Sequence, residues 1–369
     1  MGLLKRILGK RQATTTETSA DTSEEVVLVN AYATVTDIPE LDFPHELLGQ
    51  RDLSDPDLAE HLDGFIGYVM SRGDGQMTAM RYHLWRHLQR VQNHISMKVK
   101  QQDLSAMSAW AARANALLFM PDGSVRTPDL TLLMTADGLF FEHEALPYLP
   151  DALARREKSL KQLAQLNPTP PASMPPVLAE AEVHLRSVSD VVHRALSLFC
   201  VASEGLVILD KEDSSLPFMA EHNPVGLAML SPQEKAFISA EEPDEHMAIQ
   251  MSWRHEALNV LLWALSKQPE PLSPASDVVE SQVMFDKAMR LIELNNTGHV
   301  FTLRPTAEIL DQLDLTWRQH WITRQAAQSD ADVEGLISGV VMERHYALNW
   351  LTNFQNDIGT AWDDIDTPT

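Results

Sequence analysis

Apolar residues recur with two different periods along the first part of the chain. The β-branched run Val26–Val35 predicts a strand. The sequence DLAEHLDGFIGYVMSRGDG predicts a helix followed by a Gly-rich turn. From Met77 to Lys100 apolar residues recur every three or four positions, which predicts one long helix. Its apolar face comprises Met80, Leu84, Leu88, Val91 and Ile95.

Turn and linker signals organise the rest of the chain. Residues 116–134 place Pro-Asp-Gly between two apolar runs, which predicts a β-hairpin. Residues 166–178 are rich in proline and predict a linker or an extended crossing segment. After this stretch the helical period dominates, and Ser231 and Glu234 give the capping-box signature of a helix start. Further helices are predicted near 245–267, 276–294, 306–327 and 334–355.

These patterns predict an α+β protein that is predominantly α-helical. A small N-terminal region with strands and the hairpin is expected at 25–165, and after the linker a helical domain at 179–369. Residues 1–24 predict a basic leader and a disordered tether. Within them, residues 1–11 separate leucines from basic residues as a membrane-surface helix does. Because so short a helix is marginal, a frayed leader is favoured, and any membrane association through residues 1–11 is expected to be weak.

Composition narrows the classes of protein. The chain has 369 residues, of which 44% are apolar, enough for a large core, and its formal net charge is −23. Such an acidic surface repels phosphate backbones, so nucleic acid is not an expected partner. The single cysteine, Cys200, excludes an internal disulfide and a thiolate zinc site. No apolar run of transmembrane length and no signal peptide is found, so the expected location is the cytoplasm.

Three histidines in the predicted helix at 77–100 raise the question of a metal. His83, His87 and His94 would lie on one face at helical spacing. Arginines alternate with them, and their charge would oppose a cation. We therefore expect neither a bound metal nor a cofactor.

Two later segments share an Arg-His-x-Ala-Leu-Asn core. WRHEALNVLLWAL begins at Trp253 and ERHYALNWLTNF begins at Glu343. In each, the histidine and the asparagine are four residues apart and share a helix face. Apolar residues cover most of the remaining circumference, as in helices buried in a core. The shared core is short and the flanks differ, so similar packing is the better interpretation than duplication.

Polar residues in these helices and in ILDQLDLTWRQHW allow two hypotheses. In the functional hypothesis they form a cleft with acid/base or metal-binding groups, with arginines that hold an anion and with tryptophans beside them. In the structural hypothesis, arginine–carboxylate pairs, such as the i,i+4 pair Asp314–Arg318, fasten Trp-rich helices together. The structural hypothesis is favoured, because ion-pair networks are common without catalysis. The catalytic candidates are Glu256, Asp314, His320 and Glu343, and the binding candidates are Arg318, Arg344, Trp253 and Trp317.

The final motif, WDDIDTPT, carries three aspartates but lacks EF-hand spacing. We expect Trp362 to dock this segment and the aspartates to cap helix N-termini or meet arginines. Walker, Rossmann, Ser-hydrolase and HExxH signatures are absent from the sequence.

Six motifs occur in the order found in one family. They are LLFMPDGSVRTP, LSPQEKAFI, SWRHEALNVLLWAL, ILDQLDLTWRQHW, VVMERHYALNWL and WDDIDTPT. By these motifs residues 115–369 resemble the bacterial domain-of-unknown-function family 4272. The resemblance implies an intracellular, largely helical domain without an assigned activity, and no site residues can be carried over from it.

Two functions remain open at this point. The first is a non-enzymatic interaction or scaffolding protein with an unknown protein partner and an open oligomeric state. The alternative is a hydrolase-like enzyme that uses the carboxylate and histidine cluster. Convergence of Glu256, Asp314, His320 and Glu343 on one open concavity would favour the enzyme, and dispersed, filled positions would favour the interaction protein.

Overall fold

The computed structural model describes residues 25–141, 148–242, 244–265, 270–354 and 358–369. The predicted leader and tether, residues 1–24, and with them the membrane-surface hypothesis for residues 1–11, lie outside the described residues. In the described part, the chain is an α+β protein with a six-stranded sheet followed by a helical region, as the sequence predicts.

An antiparallel sheet forms the N-terminal region. Its spatial order is β2-β3-β1-β4-β5-β6. In chain order the strands are β1 (Val26–Ala33), β2 (Glu46–Asp52), β3 (Asn93–Lys100), β4 (Ala116–Phe119), β5 (Val125–Arg126) and β6 (Leu132–Met134).

Side chains alternate between the two faces of this sheet along each strand, and helices cover both faces. One face buries Val29 and Ala31 against Trp110 of a helix. The other face buries Tyr32 among Phe65 and Leu84 of two further helices. These helices are α1 (Asp57–Ser71), α2 (Ala79–Gln89) and α3 (Leu104–Arg113).

The predicted helix at 77–100 is wrong in its second half. Helix α2 ends at Gln89, and residues from Asn93 onward form β3. Ile95, Met97 and Val99 alternate with polar residues, the two-residue period of a strand, and all three are buried. The three histidines consequently do not share a face.

The predicted hairpin at 116–134 is confirmed and has one more strand than expected. Strands β4 and β5 flank Pro121-Asp122-Gly123, and β5 then pairs with β6. Gly123 has φ +82°, the left-handed conformation that glycine adopts without strain.

The helical region surrounds one long helix, α5, whose residues are mostly buried. The expectation that no apolar run reaches transmembrane length is wrong for α5, which by length and composition could span a membrane. In the structure 72% of its most apolar window is buried inside the protein. That position is typical of a central core helix. In chain order the helices are α4 (Pro150–Gln162), α5 (Val188–Asp210), α6 (Leu216–His222), α7 (Pro224–Ala228), α8 (Pro232–Ile238), α9 (Glu245–Ser252), α10 (Arg254–Leu265), α11 (Ser281–Asn296), α12 (Thr306–Ala327) and α13 (Ser338–Leu351).

The proline-rich stretch at 166–178 is a packed crossing segment between the sheet and the helices. Met174, Pro175 and Pro176 are buried in it. Beyond it, Glu182 is fully buried and accepts two hydrogen bonds from Arg90, at 2.8 and 3.0 Å. The predicted boundaries 25–165 and 179–369 stay a prediction.

Candidate functional site

The repeated Arg-His cores lie on helices α10 and α13, which exchange two ion pairs. Arg254 of α10 donates to Glu343 of α13 at 3.0 Å. In return, Arg344 of α13 donates to Glu256 of α10 at 2.9 Å. Each helix thus supplies one cation and one anion. The two repeated arginines therefore make the same kind of contact, each with a glutamate of the other helix.

The carboxylate of Glu256 is engaged beyond its ion pair, and that of Glu343 is buried against Arg254. Glu256 accepts the backbone N–H of Val279 at 2.7 Å. Burial raises the pKa of Glu343, against the opposing charge of Arg254. Arg344 also donates to the carbonyl oxygen of Ser273 at 2.5 Å. Groups held in this way are fixed and desolvated, which fits fastening better than proton transfer.

The pair Asp314–Arg318 is a second fastener, on α12. Arg318 donates to both carboxylate oxygens of Asp314, at 2.9 and 3.0 Å, and both side chains are 0% exposed. It also donates to the carbonyl oxygen of Pro175, and Asp314 accepts the N–H of Val177. The pair therefore ties α12 to the crossing segment, and it leaves no free carboxylate for a substrate.

His320 and His345 contact each other across α12 and α13. Their Nδ1 atoms lie 2.9 Å apart, so one ring donates and the other accepts. Burial lowers the pKa of His320 to about 4 and that of His345 to about 3. Both rings are consequently neutral near pH 7. A general base needs a pKa near the working pH, and neither ring has one.

The predicted tryptophans occupy different places. Trp253 packs against the backbone of Gly339 on α13, where an added Cβ would lie 2.9 Å from the ring. Trp317 lines a cleft between the sheet region and the helical region. The charged and histidine candidates are thus divided among separate ion pairs and the histidine pair, and Trp253 packs on α13. Of the eight candidates, Trp317 alone lines the cleft.

This cleft, the sheet–helix cleft, has a volume of about 270 Å³. Helix α2 forms one wall, and α12, α13, the crossing segment and the C-terminal residues form the other. Aromatic and aliphatic side chains form most of the lining, and amide groups, hydroxyl groups and two arginines accompany them. Its lining includes Tyr82, Trp85, Arg86, Gln89, Trp317, His345, Asn349, Thr352 and Phe354.

Arg86 is the group in the cleft that requires explanation. Its guanidinium is half-buried and donates to Gln89 at 3.0 Å. Among the described residues it forms no ion pair, whereas Arg90 one turn later is paired with Glu182. Burial lowers the pKa of Arg86, and the nearby charge of Arg90 lowers it further. A desolvated cation beside another cation favours an anion from outside the chain.

The chemistry of the cleft is that of binding. Flat rings of Tyr82, Trp85 and Trp317 offer an apolar surface, and Arg86 offers one positive charge. Pockets of this kind, apolar with a few polar groups, hold ligands and fix their orientation. The sequence signal for this cleft is the set of arginines near Tyr82 and Trp85 on α2. Their positive charge opposes a metal cation, and for the same reason it favours an anion.

Metal-ligand groups are dispersed. Across the described ranges, no cluster of three His, Cys, Asp or Glu side chains is placed to hold a metal ion. His83 contacts the hydroxyl of Tyr148 at 3.0 Å, His87 the carbonyl oxygen of Tyr32, and His94 the side chain of Asn30. Each histidine thus has its own structural partner.

The C-terminal motif docks as expected. The Trp362 ring packs on Tyr346 and Trp350, with ring centroids 4.9 and 5.5 Å apart. Asp363 accepts the N–H of Gln233 in the first turn of α8, at 3.0 Å, which caps that helix.

A family model described as "Domain of unknown function (DUF4272)" matches residues 155–365. The matched range begins within α4 and covers the helices that follow, and the β-hairpin lies before it. No curated protein and no solved structure matches the chain.

Proposed function

This chain belongs to the DUF4272 family, and we propose that it is a non-enzymatic interaction protein. In this proposal the sheet–helix cleft binds an anionic group of the partner. The partner's negative group pairs with Arg86, and its apolar part lies against Tyr82, Trp85 and Trp317. Because the net charge is −23, nucleic acid is excluded as a partner in this proposal. The proposed location is the cytoplasm.

The observation that carries the proposal is the guanidinium of Arg86. Elsewhere in the described chain, most buried arginines meet acids: Arg90 meets Glu182 and Arg318 meets Asp314, and the pairs between α10 and α13 follow the same rule. Arg81 is an exception, but it donates to a backbone carbonyl oxygen, lies over the ring of Phe140 and does not line the cleft. Leaving a partly desolvated cation without an acid costs free energy. A site that retains such a group is typical of binding, where the ligand supplies the missing charge.

The alternative, a hydrolase-like enzyme, has less support. Glu256, Asp314 and Glu343 are each held by an arginine, and His320 is held by His345. Positions that are filled and divided among separate contacts favour an interaction protein.

Site-specific photo-crosslinking in the native cell tests the proposal. Tyr82, on the cleft wall, is replaced by p-benzoylphenylalanine, and Phe285 on α11 is the matched aromatic control position. A discrete adduct is expected from position 82 and none from position 285. Arg86→Gln is expected to abolish the adduct, while Arg290→Gln, an exposed arginine, leaves it unchanged.

Intact mass spectrometry then identifies the adduct. An adduct that survives Arg86→Gln contradicts the proposal, because binding would not depend on the unpaired charge. Absence of any adduct at position 82 contradicts it as well.

A further inference from the structure

The C-terminal segment, residues 365–369, forms a wall of three cavities. Pro368 and Thr369 line the sheet–helix cleft, and Thr369 also lines a neighbouring cavity of about 350 Å³ beside Met77. Ile365, Asp366 and Thr367 line a third cavity, again about 350 Å³, with Trp253 and Arg254. The segment therefore contributes to the walls of all three spaces.

This segment is firmly held at its start and loosely held afterwards. Ile365 is 9% exposed and packs in the main helical core, next to the docked Trp362. Asp366, Pro368 and Thr369 are exposed. Trp362 and Ile365 are thus the buried anchors, whereas residues 366–369 carry no buried side chain.

Two side chains hold the exposed part through its backbone. Asn349 donates to the carbonyl oxygen of Asp366 at 2.8 Å. The indole N–H of Trp317 donates to the carbonyl oxygen of Pro368 at 3.0 Å. Both contacts recognise main-chain carbonyls and not side chains. Any extended peptide with the same backbone path can accept the same two hydrogen bonds.

We propose that residues 365–369 are an intramolecular stand-in for the ligand, and that the groove opened by their departure binds an extended acidic, proline-containing peptide of a partner protein. This inference rests on the proposed function and names its ligand. The peptide accepts from Asn349 and Trp317 as the segment does. Its acidic group reaches Arg86, which the segment leaves without an ion pair within the described residues.

Competition between segment and peptide is the measurable consequence. A tethered segment has an effective concentration in the range of about millimolar, so it weakens binding of an identical free peptide. The probe is a fluorescein-labelled peptide DDIDTPT, the sequence of residues 363–369, and the readout is fluorescence anisotropy with the full chain. The full chain carrying Ile365→Ser loses the buried anchor and releases the segment.

The release variant is expected to bind the peptide at least about tenfold more tightly than the wild-type chain does. Adding Trp317→Phe removes the N–H donor and keeps an aromatic ring, and it is expected to weaken binding about five- to tenfold. Trp263→Phe, which changes a tryptophan of a different cavity, is the matched control and leaves binding unchanged. Arg86→Gln is expected to leave the affinity for this probe nearly unchanged, because the probe repeats a segment that makes no ion pair with Arg86.

Far-UV circular dichroism checks each variant, and Ile365→Ala replaces Ile365→Ser if the latter unfolds. Equal affinity of wild-type and release variants overturns the proposal, as does equal binding of a scrambled peptide. A release variant that dimerises on size exclusion without binding peptide shows a second copy to be the occupant and also overturns it. If crosslinking at position 82 still depends on Arg86 in any of these cases, the proposed function stands and only the peptide class fails.

Discussion

Removal of Arg318 is the most direct test of the fastening role of the buried ion pairs. In the native protein Arg318 makes three hydrogen bonds, two to Asp314 and one to Pro175. Arg318→Ala removes all three and leaves the carboxylate of Asp314 with the backbone N–H of Val177, at 3.3 Å. Since Asp314 is 0% exposed, water does not replace the lost donors without a rearrangement of the crossing segment.

The magnitude follows from that isolation. Stranding one charge of a buried pair costs about 3–5 kcal/mol. For a domain of the size of the helical region, each kcal/mol shifts Tm by roughly 2–4 °C. The expected loss is therefore about 6–20 °C, a large part of the margin of an ordinary domain, whose total stability is about 5–15 kcal/mol.

Thermal melting by circular dichroism and urea denaturation at pH 7 provide the measurement. Arg290→Ala is the matched control, because its pair with Glu293 is also on one helix but is more than 60% exposed. It is expected to cost no more than about 1 kcal/mol. The double variant Asp314→Leu/Arg318→Met is expected to recover part of the loss, since it strands no charge. A Tm of Arg318→Ala at or above wild type would refute the fastening role and make this pair a candidate ligand site.

Other buried groups give three further outcomes. Gly205→Ala places a Cβ 2.8 Å from the carbonyl oxygen of Ala248 and is expected to cost about 1–3 kcal/mol in urea denaturation, whereas Gly64→Ala, with no atom within 4 Å, is expected to be neutral or stabilising. Burial raises the pKa of Cys200 to about 12, so Ellman's reagent is expected to react only after unfolding; rapid reaction of the native chain would contradict this. Burial lowers the pKa of His255 from 6.5 to about 4, so its contribution to stability is complete above pH 6.5 and is lost as the pH falls toward 4. His255→Gln is expected to reduce the fall in unfolding free energy over this pH range, measured by urea denaturation. An unchanged pH dependence would show that His255 is not the group responsible.

The helical region was predictable because its signals are local. The helix predicted at 306–327 is observed at Thr306–Ala327. Ser231 and Glu234 make both hydrogen bonds of the predicted capping box. Caps and apolar stripes depend on residues three or four positions apart, so the sequence alone contains them.

Strand β3 was missed because two periods coincide at its start. Val91 and Ile95 are four residues apart, which continues the apolar face of α2, yet Ile95 already belongs to a strand. The two-residue alternation of Met97 and Val99 distinguishes the strand, but it follows a strong helical pattern. Pairing of β3 with β1 then decides the outcome, and that contact is not local.

The cleft could not be predicted for a different reason. Arg86 lies on α2 and Trp317 on α12, more than 200 positions later in the sequence. The property that marks the cleft is that Arg86 has no ion pair within the described residues, and this depends on every residue near it in space. Sequence spacing shows which partners are available nearby along the chain, and it is silent on a partner that is missing after folding.

The contrast between local sequence signals and contacts that form only on folding affects how polar residues in core helices are interpreted. Acids, arginines and histidines in α10, α12 and α13 are the residue types of an active site, and in this protein they satisfy one another. Burial demands that satisfaction, because an unpaired charge in a core costs several kcal/mol. A concentration of such residues in buried helices is therefore expected even without catalysis. The informative feature is a partly buried charge that folding leaves unmatched beside an open space, as Arg86 is in the sheet–helix cleft.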